Sequence, residues 1–113
     1  LAHYRKAQII WTDGLHLKAD LSKAENICMD IEFIVMFEKY DKPAVIDVSV
    51  NEKNKDKWII SADKQAPFRQ KLCFSQSIIG KDKNLLIRFQ RNAKTEKSDY
   101  LAIGIKNFKL YQP

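Results

Sequence analysis

A two-residue hydrophobic rhythm constrains this chain more than any other feature of it. From Ile27 to Phe37 the residues Ile27, Met29, Ile31, Phe33, Val35 and Phe37 share one parity. Cys28, Asp30 and Glu32 occupy the other, before Ile34 and Met36 turn its end apolar as well. Successive side chains of a strand point to opposite faces, so the pattern predicts a long strand buried on one face at its start and on both near its end. Asp41 and Pro43 break the run, after which Ala44, Ile46, Val48 and Val50 alternate with Val45, Asp47 and Ser49. Trp58 to Ile60 reads as a short strand, Phe68 to Phe74 as another with Phe68, Gln70, Leu72 and Phe74 in phase, and Leu85, Ile87 and Phe89 as a third. The polar stretches Asn51 to Asp56, Ser61 to Pro67 and Gly80 to Asn84 are the turns between them.

In the last strand Leu101, Ile103 and Ile105 are in phase, but Phe108 and Leu110 fall on the opposite parity. A bulge near Lys106 and Asn107 restores the register. Upstream, Gln8 to Trp11 reads as a strand closed by Thr12, Asp13 and Gly14, and Leu15 to Leu21 follows with weaker alternation; Lys18 to Asn26 is compatible with a short helical turn. The total is about eight short strands with turns every 8 to 12 residues or so, the pattern of an all-β, jelly-roll-like sandwich of antiparallel strands. No βαβ rhythm, internal repeat or low-complexity tract is present.

Composition sets the remaining bounds. With 113 residues, 45% of them hydrophobic and 30% charged, the chain can bury one core, and residues 1–113 are read as one β-sandwich domain. No stretch approaches the ~20 apolar residues of a membrane helix. The sequence starts at Leu1 without a basic-then-apolar signal segment, so it is read as a processed protein or a fragment of a longer chain. The formal charge of +6 is spread as lysines through every segment, which describes a solvated surface rather than a nucleic-acid stripe.

The chemistry-bearing residues are sparse. His3 and His16 have no companion at a metal-ligand spacing, and Gly14, Gly80 and Gly104 are isolated, so neither a metal, a nucleotide nor any other cofactor is expected. Cys28 and Cys73 sit within strands with no histidine at a nucleophile-activating distance in sequence, and no catalytic residue is assigned. By parity both cysteines face outward. They can form a disulfide if their strands are neighbours, and half-buried thiols are the alternative.

Carboxylate pairs for glycoside hydrolysis must face each other across a cleft; Asp13 and Asp99 stand out among the acids, although capping of local backbone N–H groups explains each more simply. Sugar rings stack on flat aromatic faces while neighbouring polar groups take up their hydroxyls. Trp11, Trp58, Tyr100 and Tyr111 are therefore considered: Trp58 reads as core, Trp11 as a plug beside its turn, and Tyr100, next to Asp99, as the most exposed. Lysines in the Asn51 to Lys57, Lys81 to Lys83 and Lys94 to Lys97 segments can form a cationic rim suited to phosphates or an anionic membrane surface. Interleaved Asp56, Asp82 and Glu96 and the scarcity of arginine speak against specific nucleic-acid readout.

Several motifs fall in a familiar order. Trp11-Thr-Asp-Gly14 precedes the long alternating strand, Lys42-Pro-Ala-Val-Ile-Asp-Val-Ser-Val-Asn51 follows it, then come a Trp-containing and a Phe-started strand, and Ser98-Asp99 leads into Leu101-Ala-Ile-Gly-Ile-Lys-Asn-Phe-Lys-Leu110. Over nearly its whole length the chain resembles the β-sandwich domain at the C-terminal end of bacterial membrane-bound glycosyltransferases and phosphoglycerol transferases of the cell envelope. That family's closing element has an Asp, a small residue and an Arg before Leu-Gly-Ile-Gly; here Tyr100 takes the small-residue place, Ala102 the first Gly, and the Arg is missing, so no role of that Arg carries over. The resemblance implies a non-catalytic accessory module at the periplasmic face of the inner membrane, beside a membrane-embedded transferase, that binds or positions carbohydrate or a lipid-linked substrate. Tyr100, Asp99, Trp11 and Asp13 are the residues expected to touch a ligand. A structural or protein-docking role for an outer sheet face is the other expectation.

Overall fold

The computed structural model describes residues 9–18, 26–36, 43–61, 66–79, 82–91 and 102–113. Eight strands lie among them: β1 (Ile10–Thr12), β2 (Gly14–Lys18), β3 (Asn26–Ile34), β4 (Ala44–Val50), β5 (Lys53–Ile60), β6 (Phe68–Ser75), β7 (Asn84–Arg91) and β8 (Ile103–Tyr111). A single turn of 3-10 helix, Gln76–Ile78, follows β6. The strands form two four-stranded sheets, a front sheet ordered β1-β8-β3-β6 and a back sheet ordered β2-β7-β4-β5.

Every pairing is antiparallel, and the order has a simple origin. β1 pairs with β8, β2 with β7, β3 with β6 and β4 with β5, as in one long ribbon folded back at the β4–β5 turn. Rolling that ribbon brings β3 beside β8 and β4 beside β7, which is the jelly-roll arrangement.

The inner faces meet in one core. Ile27, Met29, Ile31 and Phe33 of β3 face Ala44, Ile46, Val48 and Val50 of β4, all essentially inaccessible, as the alternation requires. Phe33 stacks on Trp58 across the sheets with ring centroids 5.3 Å apart, and Trp58 lies 5.7 Å from Phe89. The Trp58 indole is buried, and its Nε1 donates to Asp56 Oδ2 at 2.9 Å, so the polar end of the ring is satisfied where it reaches the surface. Truncating a side chain of that size in such a site costs about 3–5 kcal/mol.

The bulge in β8 falls where the broken parity places it. Glu32 pairs with Asn107 and Phe33 with Ile105, leaving Lys106 as the extra residue, and Leu110 then packs back against the core. Two expectations need correction. The turn read over Asn51 to Asp56 is only Asn51 and Glu52, both with positive φ (46° and 71°), and Lys53 to Lys57 belong to β5. β5 is an edge strand, where charged residues stand in solvent and block pairing with another chain, so its polar sequence imitates a loop. Cys28, read as outward and less buried, is only 4% exposed, because it is paired between Cys73 of β6, to which it is bonded, and Tyr111 of β8. The short helical turn suggested for Lys18 to Asn26 lies largely outside the described residues.

Candidate functional site

A trough of about 880 Å³ crosses the outer face of the back sheet. Register explains its lining. Gly14, Arg88, Ser49 and Asn54 form one transverse row over β2, β7, β4 and β5, and Gln90, Asp47 and Lys57 form the next over β7, β4 and β5. His16 and Glu52 stand at its margins. These are the polar-parity positions of strands whose other parity fills the core, so the face is a direct product of alternation.

Two properties make the trough the candidate site. Gly14 contributes no side chain, leaving the row open beside Arg88; a Cβ there would lie 2.9 Å from the carbonyl oxygen of Ile87. The side chains of Ser49, Asn54, Arg88 and Gln90 make no hydrogen bond with another described residue, while Asp47 meets Lys57 at 3.9 Å, a loose surface pair of little energetic weight. Donors and acceptors therefore point outward from strands rather than from loops.

The expected ligand contacts are distributed differently from the sequence reading. Asp13 is a corner post at one end of the trough: its carbonyl oxygen accepts from Phe89 N–H at 2.8 Å and its Oδ1 from Ala102 N–H at 2.7 Å. The Thr12 hydroxyl braces the same corner by donating to Gly14 O at 2.6 Å and accepting from Gly14 N at 3.0 Å. Trp11 lies on the other sheet, half-buried over Gly104, where a Cβ would come within 3.0 Å of its Cε2 atom. The structure thus separates Trp11 from the trough. Tyr100 and Asp99 lie outside the described residues, as does His3.

Asn51, Asp47, Arg88 and Gln90 were missed by sequence reasoning. Asn51 in particular fastens the trough's end: Nδ2 donates to the carbonyls of Ile78 (3.0 Å) and Asn84 (3.1 Å), and Oδ1 accepts from Leu86 N–H at 2.8 Å. The available signal was an asparagine opening the polar stretch after β4, since asparagine tolerates the left-handed φ that it adopts there.

On the front sheet Cys28 and Cys73, directly paired in the β3–β6 ladder, are joined in a disulfide with Cα atoms 4.1 Å apart. Next to it the Tyr111 hydroxyl donates to Asp30 Oδ1 at 3.1 Å, and Lys71 and Lys109 place their ammonium groups 5.8 and 5.7 Å from the Tyr111 ring centre. The Lys71 pKa is raised above its ordinary 10.5, foremost by hydrogen bonding with the Tyr111 side chain, then by its charge and that of Asp30. Among the described residues no group of three or more His, Cys, Asp or Glu could hold a metal ion, and no helix is long and apolar enough to cross a membrane.

Comparison with known proteins gives the fold a counterpart. The chain is similar to a solved structure of the EclA C-terminal domain, a sugar-binding protein, with a TM-score of 0.60 at 10% identity over 89% of this chain and 66% of that one. The chain thus spans just under two thirds of that structure's length, and a likeness at this identity concerns the fold. No protein-family model matches, and no curated protein matches by sequence.

Proposed function

We propose that this chain is a non-catalytic carbohydrate-binding module whose binding face is the back-sheet trough. The observation that carries the reading is the two adjacent rows of outward amides, hydroxyl, guanidinium and carboxylate at Asn54, Ser49, Arg88, Gln90 and Asp47, whose side chains make no hydrogen bond with another described residue, Asp47 having only its loose ion pair with Lys57. Sugar hydroxyls both donate and accept, and this set offers both roles within one sheet face. The likeness of the fold to a domain described as sugar-binding supports it. A trough open along its length suits an internal stretch of a glycan chain better than a terminal sugar.

The resemblance to envelope transferases extends the proposal: the module positions a glycan or lipid-linked substrate for a membrane-embedded glycosyltransferase on the periplasmic face. The Cys28–Cys73 disulfide supports an oxidising compartment. Amide chemical-shift titration with hexasaccharides of different linkage tests the binding reading. Saturable shifts at Asp47, Ser49, Arg88 and Gln90, abolished in D47A/Q90A with an unchanged melting temperature, are expected. Shifts absent from this face with every neutral glycan would overturn it.

A further inference from the structure

The outer face of the front sheet carries a second recess, about 490 Å³, with a charge pattern unlike that of the trough. Register sets out three columns. β3 supplies Asp30 and Glu32 in the middle; β6 supplies Lys71 and Arg69 on one side; β8 supplies Lys109 and Asn107 on the other. Arg69 is bound to Glu32 at 3.0 Å. Lys71 and Lys109, by contrast, meet no described carboxylate at ion-pair distance, although Asp30 stands between them in the ladder. Asp30 is instead engaged by the Tyr111 hydroxyl. Two ammonium groups thus lie 5.8 and 5.7 Å from the centre of one aromatic ring, on strands flanking the acidic column, and both line the recess with Asn107 and exposed Phe108.

We propose that this recess binds an acidic saccharide, whose oxyanion, a carboxylate or a phosphate, is held between Lys71 and Lys109. Ammonium–oxyanion hydrogen bonds are the strong, charge-assisted kind, and a bridging anion relieves the repulsion between the two lysines. The acidic column is what selects a sugar: hydroxyl groups donate to Asp30 and Glu32 while the anionic substituent pairs with the lysines. A flat anionic membrane would meet the same two carboxylates as repulsion, and Phe108 is the one exposed large apolar side chain among the described residues lining the recess. The proposal does not depend on the trough, which lies on the other sheet.

The test is an amide-shift titration of the whole chain with four probes: trigalacturonic acid, mannose 6-phosphate, neutral maltotriose and phosphatidylglycerol vesicles. Saturable shifts at Lys71, Lys109 and Tyr111 with either acidic probe are expected, weakened by about tenfold or more in K71Q/K109Q and by raising salt to about 0.15 M. Both lysines are exposed, so the double variant should keep the wild-type melting temperature, and the trough variant D47A/Q90A should bind the acidic probes normally. A response to trigalacturonic acid alone, or to mannose 6-phosphate alone, identifies the oxyanion. Equal shifts with maltotriose, no shift with either acidic probe, or shifts produced only by phosphatidylglycerol vesicles would each overturn the proposal.

Discussion

Asp13 and Ala102, 89 positions apart, are joined by a 2.7 Å hydrogen bond in which the aspartate side chain accepts the backbone N–H just before β8. With its own carbonyl bonded to Phe89 in β7, Asp13 holds the front and back sheets together at one corner. The residue is exposed, so its acidity invites a ligand-binding reading, but its bonds are those of a brace. Asp13→Ala is expected to destabilise the domain by about 1.5–3 kcal/mol, the range for hydrogen bonds to charged groups. Asp13→Asn, which keeps an acceptor, should recover part of the loss. Urea denaturation of the two variants checks this; equal, negligible effects would show that the corner is held without the side chain.

Gly104 sits at a close approach on the front sheet. An added Cβ would lie 2.8 Å from Ile9 Cγ2 and 3.0 Å from both Ile34 Cγ1 and Trp11 Cε2. Gly104→Ala should therefore cost about 1–3 kcal/mol through overpacking. Trp11 fluorescence, recorded with Trp58 replaced by Phe in both proteins, should report a displaced ring. An unchanged urea midpoint and spectrum would mean that Trp11 moves aside freely.

The Cys28–Cys73 link closes a loop of 45 residues, and restricting the unfolded chain over that length is worth about 2–4 kcal/mol. Reduction, or the pair C28A/C73S, should lower the urea midpoint accordingly without changing the sheet signal in circular dichroism. If reductant leaves the midpoint in place, the β3–β6 ladder alone supplies that stability.

Asp82 gives the domain one defined pH response. Its carboxylate accepts from the backbone N–H of Asn84 (3.3 Å) and then from its side-chain amide (2.7 Å), which lowers its pKa below the ordinary 3.8. Because the folded value is the depressed one, this contribution is complete above the unfolded pKa and is lost as pH falls through the folded one. Carboxyl carbon NMR should place the Asp82 midpoint below 3.8, and Asn84→Ala should move it back upward. A midpoint at or above that value in the wild type would contradict the assignment.

How much of this was readable in advance depends on distance along the chain. The alternation of Ile27 to Phe33 and of Ala44 to Val50 is local, and it placed the core; the phase change between Ile105 and Phe108 placed the bulge. Lys53 to Lys57 misled because a solvated edge strand and a loop have the same polarity. Cys28 misled because parity gives direction, not cover: it points outward under side chains from β6 and β8. The trough could not be read at all, since Gly14, Arg88, Ser49 and Asn54 become neighbours only when four strands take their order. Trp11 and Asp13, two positions apart in sequence, are separated because the chain changes sheets between them: Trp11 belongs to β1 of the front sheet, while Asp13 sits at the corner and ties both sheets.

The ribbon origin of the two sheets also bears on the order of assembly. β4 and β5 are joined through two residues, whereas β3–β6 pairing joins Phe33 to Phe68, β2–β7 joins Lys18 to Asn84, and β1–β8 joins Thr12 to Ile103. Each successive pair closes a longer loop at greater entropic cost unless the pair inside it has already formed. The chain is thus expected to zip from the Asn51–Glu52 turn outward, with high φ values in β4 and β5 and low ones in β1; the reverse gradient would exclude this order. The Asp13–Ala102 corner would then be a latch that closes last, and its loss should speed unfolding far more than it slows folding.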